Sequence, residues 1–319
     1  MGLLFFSYAA IARVPASVAD CEKCLMTRYL FIVCLVVVVG EVRATVPLEP
    51  MQDGHLVVPA HVDGSGPYPF ILDTGADSTA LYTWFAEKLK LRAGKTVDLS
   101  GQTGTTSTPT YPIKSLSIDG QAIRNVAAYG LPNRHDGGKE AGVAGNDLMD
   151  GVRVVFDFPC KQVEIHPRSA VLDAVLSKDA VQVNGGSIAD GTLLTLPVQI
   201  NGIKGVALLD TGSRDSRISP GFAAAAGVDP SSSAFRDADL IYGANSKAAV
   251  SRTGPVGTVR FAGISIANAE ARVIDLPAFR SAGVGDHVMI LGTDLMRDHR
   301  LVYDHQAKRF WFGSSRCGR

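Results

Sequence analysis

The sequence predicts a mostly β protein made of two similar lobes, and three repeated features carry that prediction. An alternating apolar strand that ends at a glycine turn, an apolar run that ends in Asp-Thr-Gly, and an apolar-apolar-Gly-x-Asp-Leu-Met signature each occur twice, in the same order. A chance repeat would not reproduce all three in sequence.

The opening strands are Val58-Pro-Ala-His-Val-Asp-Gly64 and Leu196-Pro-Val-Gln-Ile-Asn-Gly202. In the first, Val58, Ala60 and Val62 alternate with more polar residues, the pattern of a half-buried strand before a turn. The strands that follow are Phe70-Ile-Leu-Asp-Thr-Gly-Ala-Asp77 and Val206-Ala-Leu-Leu-Asp-Thr-Gly-Ser213. Apolar Phe70 to Leu72 predict a buried strand, and Gly75 lets the backbone turn so that Asp73 is carried inward. A carboxylate there is costly unless backbone N–H groups and hydroxyls satisfy it, or a second acid shares its proton. Asp210, in the matching context, is that second acid.

After the first acid loop, Trp84 to Leu91 predicts a short helix with its apolar residues on one side. After the second, Ser219 suits an N-cap, Pro220 the first helical position and Gly227 the stop. Polar hairpins come next, Ser100 to Thr106 with Gly101 and Gly104, and Tyr242 to Ser246 with Gly243, as candidate flaps over a cleft. The closing signatures are Val143 to Met149 and Ile290 to Met296. Asp157 and Asp304, then Lys161 and Lys308, keep the same offset of 147, whereas Asp73 and Asp210 are 137 apart, so ten residues are inserted in the second half. These features divide the chain into a first lobe over 45–172, a linker over 173–191 and a second lobe over 192–319, with a short helix expected at Ala170 to Leu176.

Residues 1–44 are expected to lie outside the fold. Arg28, the apolar run Tyr29 to Val39, and Val42-Arg43-Ala44 have the order of a secretory signal peptide cleaved after Ala44; an uncleaved anchor is the alternative. Met26 is a second candidate start, which would leave Met1 to Leu25 as upstream sequence. Cys21 and Cys24 lack the second pair that a zinc site needs. Cys160 and Cys317 would then remain in an oxidising compartment, either as one disulfide or as two free thiols. A secreted or periplasmic location follows from this reading.

Lys plus Arg equals Asp plus Glu at 31 each, so no net field argues for nucleic acid or for an anionic membrane. Gly-x-Ser-x-Gly and His-Glu-x-x-His are absent and the seven histidines are scattered; His299 and His305, each after an Asp, read as turn residues. No metal or other cofactor is expected.

A single Asp-Thr-Gly is an ordinary turn tripeptide. Two copies in matching contexts resemble the active-site loops of the pepsin and retropepsin-like aspartic proteases, and Asp-Thr-Gly-Ala-Asp is especially similar to the retroviral form. The resemblance covers about Leu56 to Phe312 and implies the bilobal acid-protease fold, with two pseudo-twofold-related, barrel-like lobes in a monomer. It implies an endopeptidase acting on peptides or proteins, with Asp73 and Asp210 sharing one proton around a water, because two carboxylates in contact cannot both stay ionised.

By the same resemblance, Thr74 and Thr211 would reach across to the opposite loop, and Gly75 and Gly212 would offer N–H groups to the acids. Gly145 and Gly292 would lie where a strand passes close behind each acid loop, and Asp77 would contact substrate main chain, with Arg214 in its place in the second half. Tyr242-Gly243 resembles the tyrosine-glycine of pepsin-like flaps, which lie in the first lobe; a core tyrosine is the alternative. Ser213, opposite Ala76, would donate its hydroxyl to an ionised Asp210 and leave the proton on Asp73. A non-catalytic peptide-binding or assembly module that kept the fold is the other reading, although it has no need of both acids, both threonines and both glycines.

Overall fold

A computed structural model describes residues 45–102, 104–242 and 248–317. The expectations for residues 1–44 therefore lie outside the described residues, as do those for Gly243 to Ser246. Among the described residues, no helix is long and apolar enough to cross a membrane.

The two lobes share one strand plan. In the first, an eight-stranded sheet runs in the order Glu49–Pro50, Leu56–Val62, Ser65–Leu72, Gly142–Ala144, Ala80–Tyr82, Gln121–Leu131, Gly104–Ile118, Thr96–Gly101. In the second, the order is Gly186–Ile188, Leu193–Ile200, Ile203–Leu209, Val288–Leu291, Arg217–Ile218, Ile264–Val273, Ala248–Phe261, Arg236–Tyr242, which matches strand for strand. An extra pairing, of Leu56–Val62 with Gly104–Ile118 in one lobe and of Leu193–Ile200 with Ala248–Phe261 in the other, curls each sheet towards a barrel.

The alternation read from the sequence is what buries each face. Val58, Ala60 and Val62 are all buried, and the turn after them is a two-residue hairpin in which Asp63 and Gly64 both take positive φ. Asn201 and Gly202 do the same in the second lobe. The strands that follow, Ser65–Leu72 and Ile203–Leu209, each run parallel to a short central strand, Gly142–Ala144 and Val288–Leu291 respectively.

The helix expected after the first acid spans Thr83–Lys88 and buries Phe85 and Ala86. Its counterpart is Pro220–Ala225, with the Ser219 hydroxyl accepting from Phe222 N–H and Gly227 at φ 71° after its end. The lobes meet in a third, six-stranded sheet: Val46–Pro47, Gln162–Pro167, Val152–Asp157, Arg300–Asp304, Arg309–Gly313 and Val181–Asn184. At its centre Val155 pairs with Val302, residues that are themselves 147 apart, so the pseudo-twofold axis passes between them.

Asp157 and Asp304 play matching structural parts. Asp157 accepts from Cys160 N–H and Asp304 from Ala307 N–H, bracing turns in which Lys161 and Lys308 take positive φ. Cys160 is disulfide-bonded to Cys317 with a Cα separation of 5.0 Å, which decides between the two expectations for this pair.

The stretch expected as linker is more ordered than a linker. Leu172–Val175 is helical, but Val181–Asn184 is an edge strand of the shared sheet and Gly186–Ile188 is the first strand of the second lobe. Both are largely exposed and flank Gly185; Val181-Gln182-Val183-Asn184 alternates over only four residues and Gly186–Ile188 not at all, which left them looking like connecting chain in the sequence.

Candidate active site

The strands Ser65–Leu72 and Ile203–Leu209 deliver their aspartates by the same means. Asp73 N–H donates to Ala144 C=O at 2.9 Å and Asp210 N–H to Leu291 C=O at 3.1 Å. Behind each loop a glycine leaves room for the passage of the backbone: a Cβ on Gly145 would lie 2.8 Å from the Ser78 backbone, and one on Gly292 2.8 Å from the backbone of Asp215 and Ser213. Asp147 and Asp294 hold the same turns by accepting from the N–H and hydroxyl of Thr79 and of Ser216. Asn146 adds a bond from its amide to Thr74 C=O and accepts from the Tyr303 hydroxyl, tying the first loop to the shared sheet.

The threonines lock the loops together reciprocally. The Thr74 hydroxyl donates to Leu209 C=O at 2.7 Å and accepts from Thr211 N–H, while the Thr211 hydroxyl donates to Leu72 C=O at 2.6 Å and accepts from Thr74 N–H. Both side chains are buried. The glycines face the opposite acids: a Cβ on Gly75 would come within 2.6 Å of Asp210 Cγ, and one on Gly212 would be closer still to Asp73 Cγ. Asp73 and Asp210 therefore face one another's loops across the pseudo-twofold axis, each against the glycine of the other.

Their electrostatics are unequal. Burial, then the neighbouring charge of Asp210, pushes the Asp73 carboxyl well above the usual carboxylate range, although Gly75 N–H donates to it at 2.7 Å. Burial also raises Asp210, but here the Arg217 guanidinium opposes the rise. Both carboxyls are thus raised by burial, and Arg217 opposes the rise at Asp210.

The role expected of the Ser213 hydroxyl is overturned. The Ser213 hydroxyl donates to Asp215 C=O at 2.9 Å, within its own loop, and only the backbone N–H of Ser213 acts on Asp210. Ala76, its counterpart, packs against the apolar cluster that includes Ile71 and Val143.

The remaining predicted residues divide. Asp77 is exposed on the first loop, and Arg214 in the equivalent place is drawn to Asp53 and Asp215. Gly101 and Gly104 pair across the tip of the hairpin Thr96–Gly101/Gly104–Ile118, and Gln102 between them accepts a hydrogen bond from Arg217. That contact carries the first-lobe hairpin to the second-lobe side of the acids, where a flap would be. Tyr242 ends its strand, and Gly243 lies outside the described residues.

Arg217 and Gln102 were not picked out from the sequence. The signal for Arg217 was there: it follows Asp210 by seven residues, where the first half has Ala80. Also missed was a partly buried cluster in the first lobe. Asp53, His55 and Glu140 have potential ligand atoms within 4.8 Å of one another, an arrangement that could hold a cation. Arg134 already reaches all three, bonding Asp53, lying 3.1 Å from His55 Nδ1 and 3.6 Å from Glu140, so the chain supplies that positive charge itself.

Two lobes of one strand plan, each giving an Asp-Thr-Gly loop to a shared carboxyl pair, define a single-chain, two-lobed protein of the aspartic-protease type. The family model for aspartyl proteases matches residues 58–148 and again 196–295, more than half of the chain, and the chain belongs to that family. No individual curated protein matches it.

Proposed function

We propose that the protein is an aspartic endopeptidase that hydrolyses peptide bonds with a water activated by Asp73 and Asp210. The observation that supports this reading is the facing of the two Asp-Thr-Gly loops, locked by the reciprocal threonine bonds, with both carboxyls raised by burial. Asp210 takes a proton from the water as its oxygen attacks the scissile carbonyl carbon, while protonated Asp73 gives its proton to the carbonyl oxygen. The tetrahedral diol collapses when the proton on Asp210 passes to the leaving nitrogen, the C–N bond breaks and a diol proton returns to Asp73. No covalent enzyme intermediate is required.

Peptides and proteins are the substrate class, and the chain acts as a monomer because one chain holds both acids. The Cys160–Cys317 disulfide supports an oxidising destination, secreted or periplasmic. Incubation with a peptide library from pH 3 to 8, with and without a statine-type inhibitor, tests the activity. Asp73→Asn and Asp210→Asn should each abolish cleavage with the fold intact, and the double variant should be little worse than either. Near wild-type turnover in either single variant would favour a peptide-binding module instead.

A further inference from the structure

Arg217 is a buried cation with incomplete bonding. It opens the short strand Arg217–Ile218, pairs with Ile290 on one side and Arg272 on the other, and is only 8% exposed. Its charge acts on Asp210, and one terminal nitrogen donates to Gln102 at the hairpin tip. The guanidinium therefore lies between an acid of the pair and the tip of the first-lobe hairpin. Among the described residues it forms no ion pair, since Asp215 is held by Arg272 at 2.7 Å, and its Nε is buried with no hydrogen-bond partner. The matching residue of the first lobe, Ala80, offers no charge.

We propose that Arg217 determines specificity by selecting an acidic substrate side chain at one subsite, on one side only of the scissile bond. This rests on the endopeptidase reading. A guanidinium presents planar N–H groups that suit a carboxylate; Nε is unpartnered but enclosed, so a substrate carboxylate would reach the group by displacing the Gln102 side chain from its terminal nitrogen. An apolar side chain would leave that donor buried and unsatisfied, whereas a lysine would meet Arg214, Arg217 and Arg272 together. Arg214 is paired with Asp53 and Asp215, and Arg272 with Asp215, so that Arg217 is the one of these three arginines without an ion pair among the described residues. The Gln102 side-chain oxygen occupies part of the place that such a carboxylate would take.

The test uses quenched fluorescent peptides with Glu, Gln, Lys or Leu at each of three positions on either side of the cleaved bond, read as kcat/KM. Glu should be favoured over Gln by about tenfold at one position, on one side only. Arg217→Met should bring that ratio to about one, and Arg217→Lys should keep part of it. Gln102→Glu, on the hairpin, should also collapse the ratio by offering Arg217 an internal carboxylate, which covers the case of an Arg217 variant that fails to fold. No preference, equal preference on both sides, or a ratio unchanged in Arg217→Met would overturn the proposal. Binding to the Asp73→Asn protein, by fluorescence anisotropy, separates it from the activity. If nothing is cleaved and the Glu peptide still binds about tenfold tighter than the Gln peptide, the protease reading fails and the acidic subsite stands. Cleavage without that preference leaves the protease reading standing and removes the acidic subsite.

Discussion

Asp73 and Asp210 stand in loops of nearly the same sequence, so what separates their protonation has to come from around them. The glycine N–H groups and the threonine bonds are duplicated in both loops, but a buried arginine acts on only one acid. Arg217 favours the ionised form of Asp210, so removing it should raise the lower apparent pKa of the pair. In the proposed mechanism the form with Asp210 ionised is the active one; the acidic limb of kcat/KM against pH should therefore move towards neutral in Arg217→Met. Ser213→Ala should leave that limb in place, because the hydroxyl is spent on Asp215 C=O. Both profiles can be measured on one peptide that lacks acidic residues, which keeps subsite recognition out of the comparison. From the sequence the two acids, threonines and glycines could be read because each is a repeated motif. The direction in which Ser213 turns could not be read, since a hydroxyl can bond several nearby carbonyls and local packing decides which.

Among the elements, the two acid loops depend on each other more than on their own lobes. Thr74→Val would leave Leu209 C=O and Thr211 N–H unpaired in a buried setting, and Thr211→Val would do the same to Leu72 C=O and Thr74 N–H. Two buried unsatisfied groups suggest a loss of about 4 kcal/mol for either variant, measurable by urea denaturation. The double variant orphans all four groups, so its loss should approach the sum of the two single ones. The hairpins, acid strands and glycine crossings were legible because each has a strict residue requirement: a positive φ, a buried apolar run, or a backbone too close for a Cβ. Val181–Asn184 and Gly186–Ile188 were not, because an exposed edge strand is held by its neighbour's backbone and leaves little pattern in its side chains.

For the whole molecule, the shared sheet joins halves that are far apart in the chain, and Cys160–Cys317 closes a loop of sequence separation 157 over that join. Loop-closure entropy assigns the bond about 5 kcal/mol, so reduction should lower the melting temperature by roughly 10 °C, read by calorimetry with and without reductant. The position of this bond has another consequence. Val171, 70% exposed just before the helix Leu172–Val175, lies between the two cysteines in the chain, so a proteolytic nick there would not release either lobe. A specific cleavage sequence inserted at Val171 and then cut should give a two-chain protein that runs as one band until reduced and keeps its activity. The paired central strands would hold the cut halves in register, and the cystine would keep them from parting, so survival of a break in the exposed connection is built into the molecule.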